Sequence, residues 1–134
     1  MARLILDTTA LIAIERGDRS LVEALGDGDD VALATASIAE LLVGVELADV
    51  SRHPRRVELI NRIVSEITAE DYTAAVAKTH ASLMAHVRRT GRPRGAHDLI
   101  IAATALATER IVVTADSRGF ADLPGLEVRL VSGA

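Results

Sequence analysis

The sequence predicts an α/β fold in which helices cover both faces of a parallel sheet. Short apolar runs typical of buried strands occupy residues 3–6, 31–36 and 111–115, and an alternating run at 126–131 is typical of an edge strand. Segments with helical periodicity separate these runs, and strands that alternate with helices form this kind of sheet. The chain has 134 residues, the usual size of one domain, so residues 1–134 are expected to form a single domain.

Three helices are predicted between the second and third strands. In the first, apolar side chains recur three and four positions apart, at Ile38, Leu41, Leu42 and Val45. The second is predicted as one long helix from about residue 70 to residue 90, with an apolar stripe formed by Tyr72, Val76, Leu83 and Val87. After a Gly- and Pro-containing loop at 90–95, a third helix is predicted to open near Asp98.

Composition excludes several classes of site. The chain has no cysteine, which rules out disulfides, thiolate catalysis and cysteine-ligated metals. With one Tyr, one Phe and no Trp, it lacks an aromatic platform on which single-stranded bases could stack. Its net charge of -4 does not indicate general nucleic-acid binding. Its apolar runs are too short for a membrane span and no secretory signal is recognisable, so a cytoplasmic protein without a membrane partner is expected.

Carboxylates stand where the predicted strands end. Asp7 closes the first strand, Asp116 follows the run at 111–115, and Glu40 falls in the predicted first turn of the helix after the second strand. Asp98 opens the helix that precedes the third strand. Ligands of open α/β sheets bind outside the carboxyl ends of the strands, so we expect these four acids to converge at one edge of the sheet.

Each acid also has a purely structural interpretation. Asp7 is suited to cap the following helix, and Glu40 completes a Ser-x-x-Glu capping box with Ser37 as its cap. The helix dipole favours Asp98 in a first turn, and Asp116 is a common turn residue. These interpretations do not require the four acids to share one location.

A shared location favours a divalent cation. Clustered carboxylates repel one another, and hard oxygen ligands without cysteine or a histidine pair favour Mg²⁺, or Mn²⁺ in its place, over zinc. Such a site suits phosphoryl transfer to water. The hydroxyls of Thr9 and Thr114 are placed to orient carboxylates, and His97 is a candidate cap or substrate contact beside Asp98.

The chain resembles the PIN-domain ribonucleases, specifically the VapC-type toxins of bacterial toxin–antitoxin systems. The matching stretches are 4–12, 36–48, 91–107 and 111–128, in the family's order and at its usual distances. The resemblance implies a three-layer fold with a central five-stranded parallel sheet. It also implies a metal-dependent endoribonuclease that cuts structured RNA such as tRNA or rRNA, forms a homodimer and is inhibited by a VapB-type antitoxin.

The resemblance maps the family's catalytic and metal-binding acids to four positions, and its small polar residue to Thr9. The acids are Asp7, Glu40, Asp98 and Asp116. Some relatives carry a further acid after the fourth, whereas Ser117, Arg118 and Gly119 follow here, so a second metal is expected to bind weakly or only with RNA. Arg118 is expected to meet a phosphate or an antitoxin carboxylate, and the basic runs at 52–56 and 88–94 are expected to attract RNA locally.

Two other functions remain as alternatives. One is a binding module that keeps the fold without catalysis, although all four acids are present. The other is an aspartate-dependent phosphatase or phospho-receiver. A phosphatase of this kind requires D-x-D after the first strand, where this chain has "DTT", and a receiver requires a late lysine, whereas the only lysine is Lys78.

Overall fold

The computed structural model describes residues 1–15 and 28–131 and contains a five-stranded sheet. The strands are β1 (Arg3–Leu6), β2 (Asp30–Ala34), β3 (Thr68–Glu70), β4 (Ile111–Thr114) and β5 (Val128–Leu130). Their order is β3-β2-β1-β4-β5, and every pair is parallel. This arrangement confirms the predicted parallel sheet, including β5 as an edge strand.

Five helices and one short turn connect the strands within the described residues. The helices are α1 (Thr8–Glu15), α2 (Thr35–Leu47), α3 (His53–Glu66), α4 (Ala74–Thr90) and α5 (Ala96–Ala107), and a 3₁₀ turn covers Ser117–Gly119. Within this part of the chain, no helix combines the length and the apolar character needed to cross a membrane.

The helices form a layer on each face of the sheet. Because successive side chains of a strand point to opposite faces, Ile5 belongs to one core and its neighbours Leu4 and Leu6 belong to the other. The first core also contains Val76 and Leu83 of α4 and Ile101, Ala102 and Ala105 of α5; the second contains Ala10 and Leu11 of α1 and Ile63 of α3. Burial on both faces explains why the central strands are continuous apolar runs.

Several element boundaries differ from the predictions, among them those of β4, which ends at Thr114, and of β5, which covers only Val128–Leu130. The second strand ends at Ala34, so residues 35 and 36 begin α2 instead of extending the strand. The long helix begins at Ala74, because Thr73 caps it by accepting a hydrogen bond from the Val76 N–H at 3.2 Å. Tyr72 therefore lies before the helix, and it is exposed.

The centre of the sheet contains the point at which strand order reverses. From β1, the chain proceeds to β2 and β3 on one side, and later to β4 and β5 on the other. Loops leaving β1 and β4 therefore diverge and leave a crevice at their carboxyl ends, the usual ligand position in such sheets. Asp7 and Asp116 follow these two strands.

Candidate active site

Asp7 is a buried carboxylate with a hydrogen-bond donor for each oxygen. It is only 3% exposed. Its Oδ1 accepts hydrogen bonds from the Thr9 hydroxyl at 2.7 Å and the Ala10 N–H at 2.9 Å, and its Oδ2 accepts one from the Thr114 hydroxyl. The bond from Ala10 makes Asp7 a helix cap for α1, while the two threonines fix the carboxylate from two different elements.

Thr9 and Thr114 connect the end of β1 to the end of β4. Their hydroxyl oxygens lie 3.1 Å apart. The hydroxyl of Thr9 accepts a hydrogen bond from the Ala115 N–H at 2.9 Å, and that of Thr114 accepts one from the Asp116 N–H at 3.0 Å. Each hydroxyl thus accepts from the backbone after β4 and donates to Asp7, which leaves the buried polar groups satisfied.

Glu40 lies in the second turn of α2 and is paired with a histidine. The Nε2 of His97, which comes from α5, lies 2.8 Å from Oε2 of Glu40 and 3.2 Å from the Ser37 hydroxyl. The predicted capping box is wrong, because α2 begins at Thr35 and Ser37 is buried inside it. The pairing of His97 with Glu40 was not predicted; its only signal was the position of a histidine beside Asp98.

Asp98 lies in the first turn of α5 and is partly buried. Burial raises its pKa above the ordinary value, and the negative charge of Asp7 raises it further. His97 opposes this shift, while Glu40 and Asp116 add to it. Among the described residues none donates a hydrogen bond to its carboxylate. The charges of the other three predicted acids therefore all act on Asp98.

Asp116 is held by its own turn. The guanidinium of Arg118 donates from Nε at 2.9 Å to Oδ1 and from Nη2 at 2.6 Å to Oδ2, and the Arg118 N–H donates to Oδ1 at 3.1 Å. These hydrogen bonds lower the pKa of Asp116 to about 2. The Arg118 side chain is 90% exposed, so this pair lies at the surface.

The four acids do not form a ready-made metal cage. Across residues 1–15 and 28–131, no three Asp, Glu or His side chains are arranged to hold a metal ion. Three of the four carboxylates are instead engaged by protein donors: Asp7 by the threonines, Glu40 by His97 and Asp116 by Arg118.

The two basic runs have different environments. In the 88–94 run, Arg92 pairs with Asp122 at 2.9 Å, and Arg94 donates to the carbonyl of Ala121 at 2.6 Å. These bonds attach the loop before α5 to the segment after the 3₁₀ turn. In the 52–56 run, Arg52 and Arg55 are exposed at the start of α3.

Comparison with known families identifies the class of protein. Residues 4–126, nearly the whole chain, match the PIN domain. The five-stranded parallel sheet with acids at its carboxyl edge agrees with this match. The chain belongs to the PIN-domain family.

Within that family the similar proteins are of the VapC type. The chain is 30% identical over 129 residues to Ribonuclease VapC of Rickettsia bellii, covering 96% of each chain. It is also 30% identical over 128 residues to the tRNA(fMet)-specific endonuclease VapC of Shigella flexneri, covering 94% of this chain and 96% of the relative. A solved structure of VapBC-5 from Mycobacterium tuberculosis, a member of the VapBC toxin–antitoxin family, superposes with a TM-score of 0.79 at 30% identity, covering 98% of each chain.

Proposed function

We propose that this protein is a metal-dependent endoribonuclease, the toxin of a toxin–antitoxin pair, that hydrolyses structured RNA such as tRNA or rRNA. The observation that carries the proposal is the buried carboxylate of Asp7, which Thr9 and Thr114 fix at the carboxyl ends of β1 and β4, where Asp116 follows β4. Burial and the negative charges of Asp7, Glu40 and Asp116 also raise the pKa of Asp98, which supports a cluster of four acids. Such a cluster resists joint ionisation unless a cation offsets the repulsion. Relatives named VapC ribonuclease and tRNA(fMet)-specific endonuclease support RNA as the substrate.

The donor set fits Mg²⁺, with Mn²⁺ as a substitute. All four side chains offer carboxylate oxygens, and magnesium is bound through a few carboxylates together with substrate phosphate oxygens. Asp7 and Asp98 would hold the cation, joined by Glu40 and Asp116 once these turn from His97 and Arg118. When bound, Mg²⁺ supplies positive charge that offsets the phosphate and lowers the pKa of a coordinated water.

The reaction needs no nucleophilic side chain. A water molecule loses a proton as its oxygen bonds to phosphorus, the bond to the leaving oxygen breaks, and that oxygen takes up a proton. Asp7 is a poor nucleophile, because it is 3% exposed and both its oxygens accept hydrogen bonds. This geometry argues against the aspartate-dependent phosphatase. The role of Asp7 is to present a fixed carboxylate, and Thr9 and Thr114 fix it.

The exposed apolar side chains of α2 support the proposal that this helix binds other proteins. Its apolar side chains, together with one in the following loop, are strongly exposed: Leu42, Val43, Leu47 and Val50. Several exposed apolar side chains within nine consecutive positions are typical of an interaction surface. We assign it to the partners expected for a VapC-type protein, a VapB-type antitoxin and a second copy of the chain. The toxin–antitoxin family of the similar VapBC-5 structure supports the first of these.

The function is tested by incubating the purified protein with total RNA in Mg²⁺, in Mn²⁺ and in EDTA, beside Asp98→Asn. We expect cleavage only with metal, reduced at least about 100-fold in the variant, the scale for loss of one electrostatic group at a reacting centre. Asp71→Asn is the matched control. Asp71 also follows a strand, β3, at the same sheet edge, but it is not among the charges that raise the pKa of Asp98.

Three outcomes are distinguishable. Cleavage that is equally fast in Asp98→Asn contradicts the assignment of the site. Cleavage that persists in EDTA contradicts the metal. An intact protein that binds RNA or antitoxin without metal-dependent cleavage is instead the non-catalytic binding module.

A further inference from the structure

Gly119 lies against the carboxylate of Asp98. It is the last residue of the 3₁₀ turn, and a Cβ atom built on it would lie 2.7 Å from Cγ of Asp98 and closer still to Oδ2. Non-bonded carbon atoms pack at about 3.5–4.0 Å. Any side chain at position 119 therefore displaces the carboxylate or the turn.

Backbone conformation does not explain the glycine. The described glycines with a positive φ angle are Gly28, Gly91 and Gly125, and Gly119 is not among them. An L-residue fits its backbone without strain, so close approach to Asp98 is the constraint that the structure places on this position.

A second glycine lies near the same oxygen but leaves room for a Cβ atom. A Cβ atom built on Gly95, at the start of α5, would lie 3.4 Å from Oδ2 of Asp98, which is an ordinary van der Waals contact. The carboxylate therefore lies near both glycines, and of the two only Gly119 leaves no room for a methyl group.

We propose that Gly119 is a positioning residue for Asp98, whose missing side chain lets the 3₁₀ turn close on the carboxylate and hold it in the acid cluster. The inference rests on the proposed function, because the cluster is taken as the cation site. Since no described residue donates a hydrogen bond to Asp98, packing by the turn replaces the hydrogen bonds that fix Asp7. The same turn carries Arg118, so it sets the positions of two of the four acids.

The first test measures the affinity of the metal-free protein for Mn²⁺ by isothermal titration calorimetry. Gly119→Ala is expected to weaken binding roughly 10- to 100-fold, the usual loss when a support of a metal ligand is disturbed. Gly95→Ala, the same substitution at the other glycine near Oδ2, is expected to change the Mn²⁺ affinity less than about threefold. Equal Mn²⁺ affinity of Gly119→Ala and the unmodified protein overturns the proposal. Failure of the unmodified protein to bind Mn²⁺ overturns the proposed function instead.

The second test needs no metal and separates positioning from general damage to the turn. The melting temperature is measured in EDTA for Gly119→Ala, for Asp98→Ala and for the double variant. The drop caused by Gly119→Ala is expected to shrink by at least half when Asp98 is alanine, since the clashing carboxylate is gone. An equal drop in both backgrounds means that Gly119 acts without Asp98 and overturns the proposal, whatever the Mn²⁺ result.

Discussion

Asp7 and Asp116 follow neighbouring parallel strands at the same edge of the sheet, yet the protein holds them in opposite ways. Asp7 is buried, and its donors come from α1 and from the last residue of β4, more than a hundred positions away. The Asp116 side chain is 40% exposed, and its donors come from Arg118, two positions along the chain.

This difference separates a fixed ligand from a movable one. A buried carboxylate without its donors costs several kcal/mol, so Asp7 keeps one position as long as the fold is intact. An exposed ion pair contributes little to stability and exchanges readily with water. We therefore regard Asp7 as the rigid member of the site and Asp116 as the member that can change partner when a cation or RNA arrives.

The largest expected loss of stability follows from removing a hydrogen bond to Asp7, the rigid member of the site. Thr114→Val removes the hydroxyl that donates to Asp7 and accepts from the Asp116 N–H, at nearly constant shape. Because the partner is a buried charged group, we expect a loss of about 2–3 kcal/mol in the free energy of unfolding, measured by chemical denaturation. RNA cleavage should fall as well.

Thr104→Val is the matched control for this substitution. Thr104 is 1% exposed and Thr114 is fully buried, so both substitutions place the same valine in the core. The hydroxyl of Thr104, however, donates to the carbonyl of Ile100 within its own helix. Its loss should cost less than about 1 kcal/mol. Equal losses in the two variants would mean that the bond to Asp7 carries no special weight.

The sequence predicts where the acids lie in the fold better than it predicts which residues surround them. Asp7 and Asp116 were placed correctly because a short apolar run fixes where a strand ends, and parallel strands end at one edge. The partner of Glu40 could not be predicted, because His97 lies on another helix and nothing local indicates that the two helices pack together. The same holds for Gly119, whose contact with Asp98 exists only in the folded chain.

The strand β3 could not be predicted from its own residues either. It has three residues, and Thr68 and Ala69 are exposed, so it lacks the apolar pattern by which strands are recognised. A buried arginine compensates: Arg110 donates to Glu70 at 2.9 Å and to the carbonyl of Asp30 at 3.0 Å, connecting the β3 end to β2. The five-stranded sheet followed from the family resemblance, not from the residues of β3.

A smaller effect is expected at Asp98, which has neither the donors of Asp7 nor the paired arginine of Asp116. Because its pKa is raised in the folded protein, its ionised form lowers stability at neutral pH. Asp98→Asn should therefore increase the free energy of unfolding at pH 7 in EDTA. We expect less than about 1 kcal/mol, since solvent screens a partly exposed group.

The stability gained by Asp98→Asn should depend on pH, and the direction of that dependence follows from the raised pKa. A raised pKa means that the stabilising contribution of the protonated carboxyl is present below the unfolded value, near 3.8, and is lost as pH rises through the folded value. The advantage of Asp98→Asn should thus shrink as pH falls from 7 toward 4. A variant less stable than the original protein at pH 7 would contradict the electrostatic account of Asp98.

The smallest effect on stability is expected at Asp116, the movable member of the site. Arg118→Ala removes the guanidinium that lowers the pKa of Asp116 to about 2, so this pKa should rise toward the ordinary value of 3.8 while the melting temperature hardly changes. Carboxyl titration by NMR measures the shift. Arg92→Ala, which removes another exposed pair, the one with Asp122, should leave the pKa of Asp116 unaltered. If Arg118→Ala also leaves it unaltered, Asp116 is held by something other than its own turn, and the contrast with Asp7 fails.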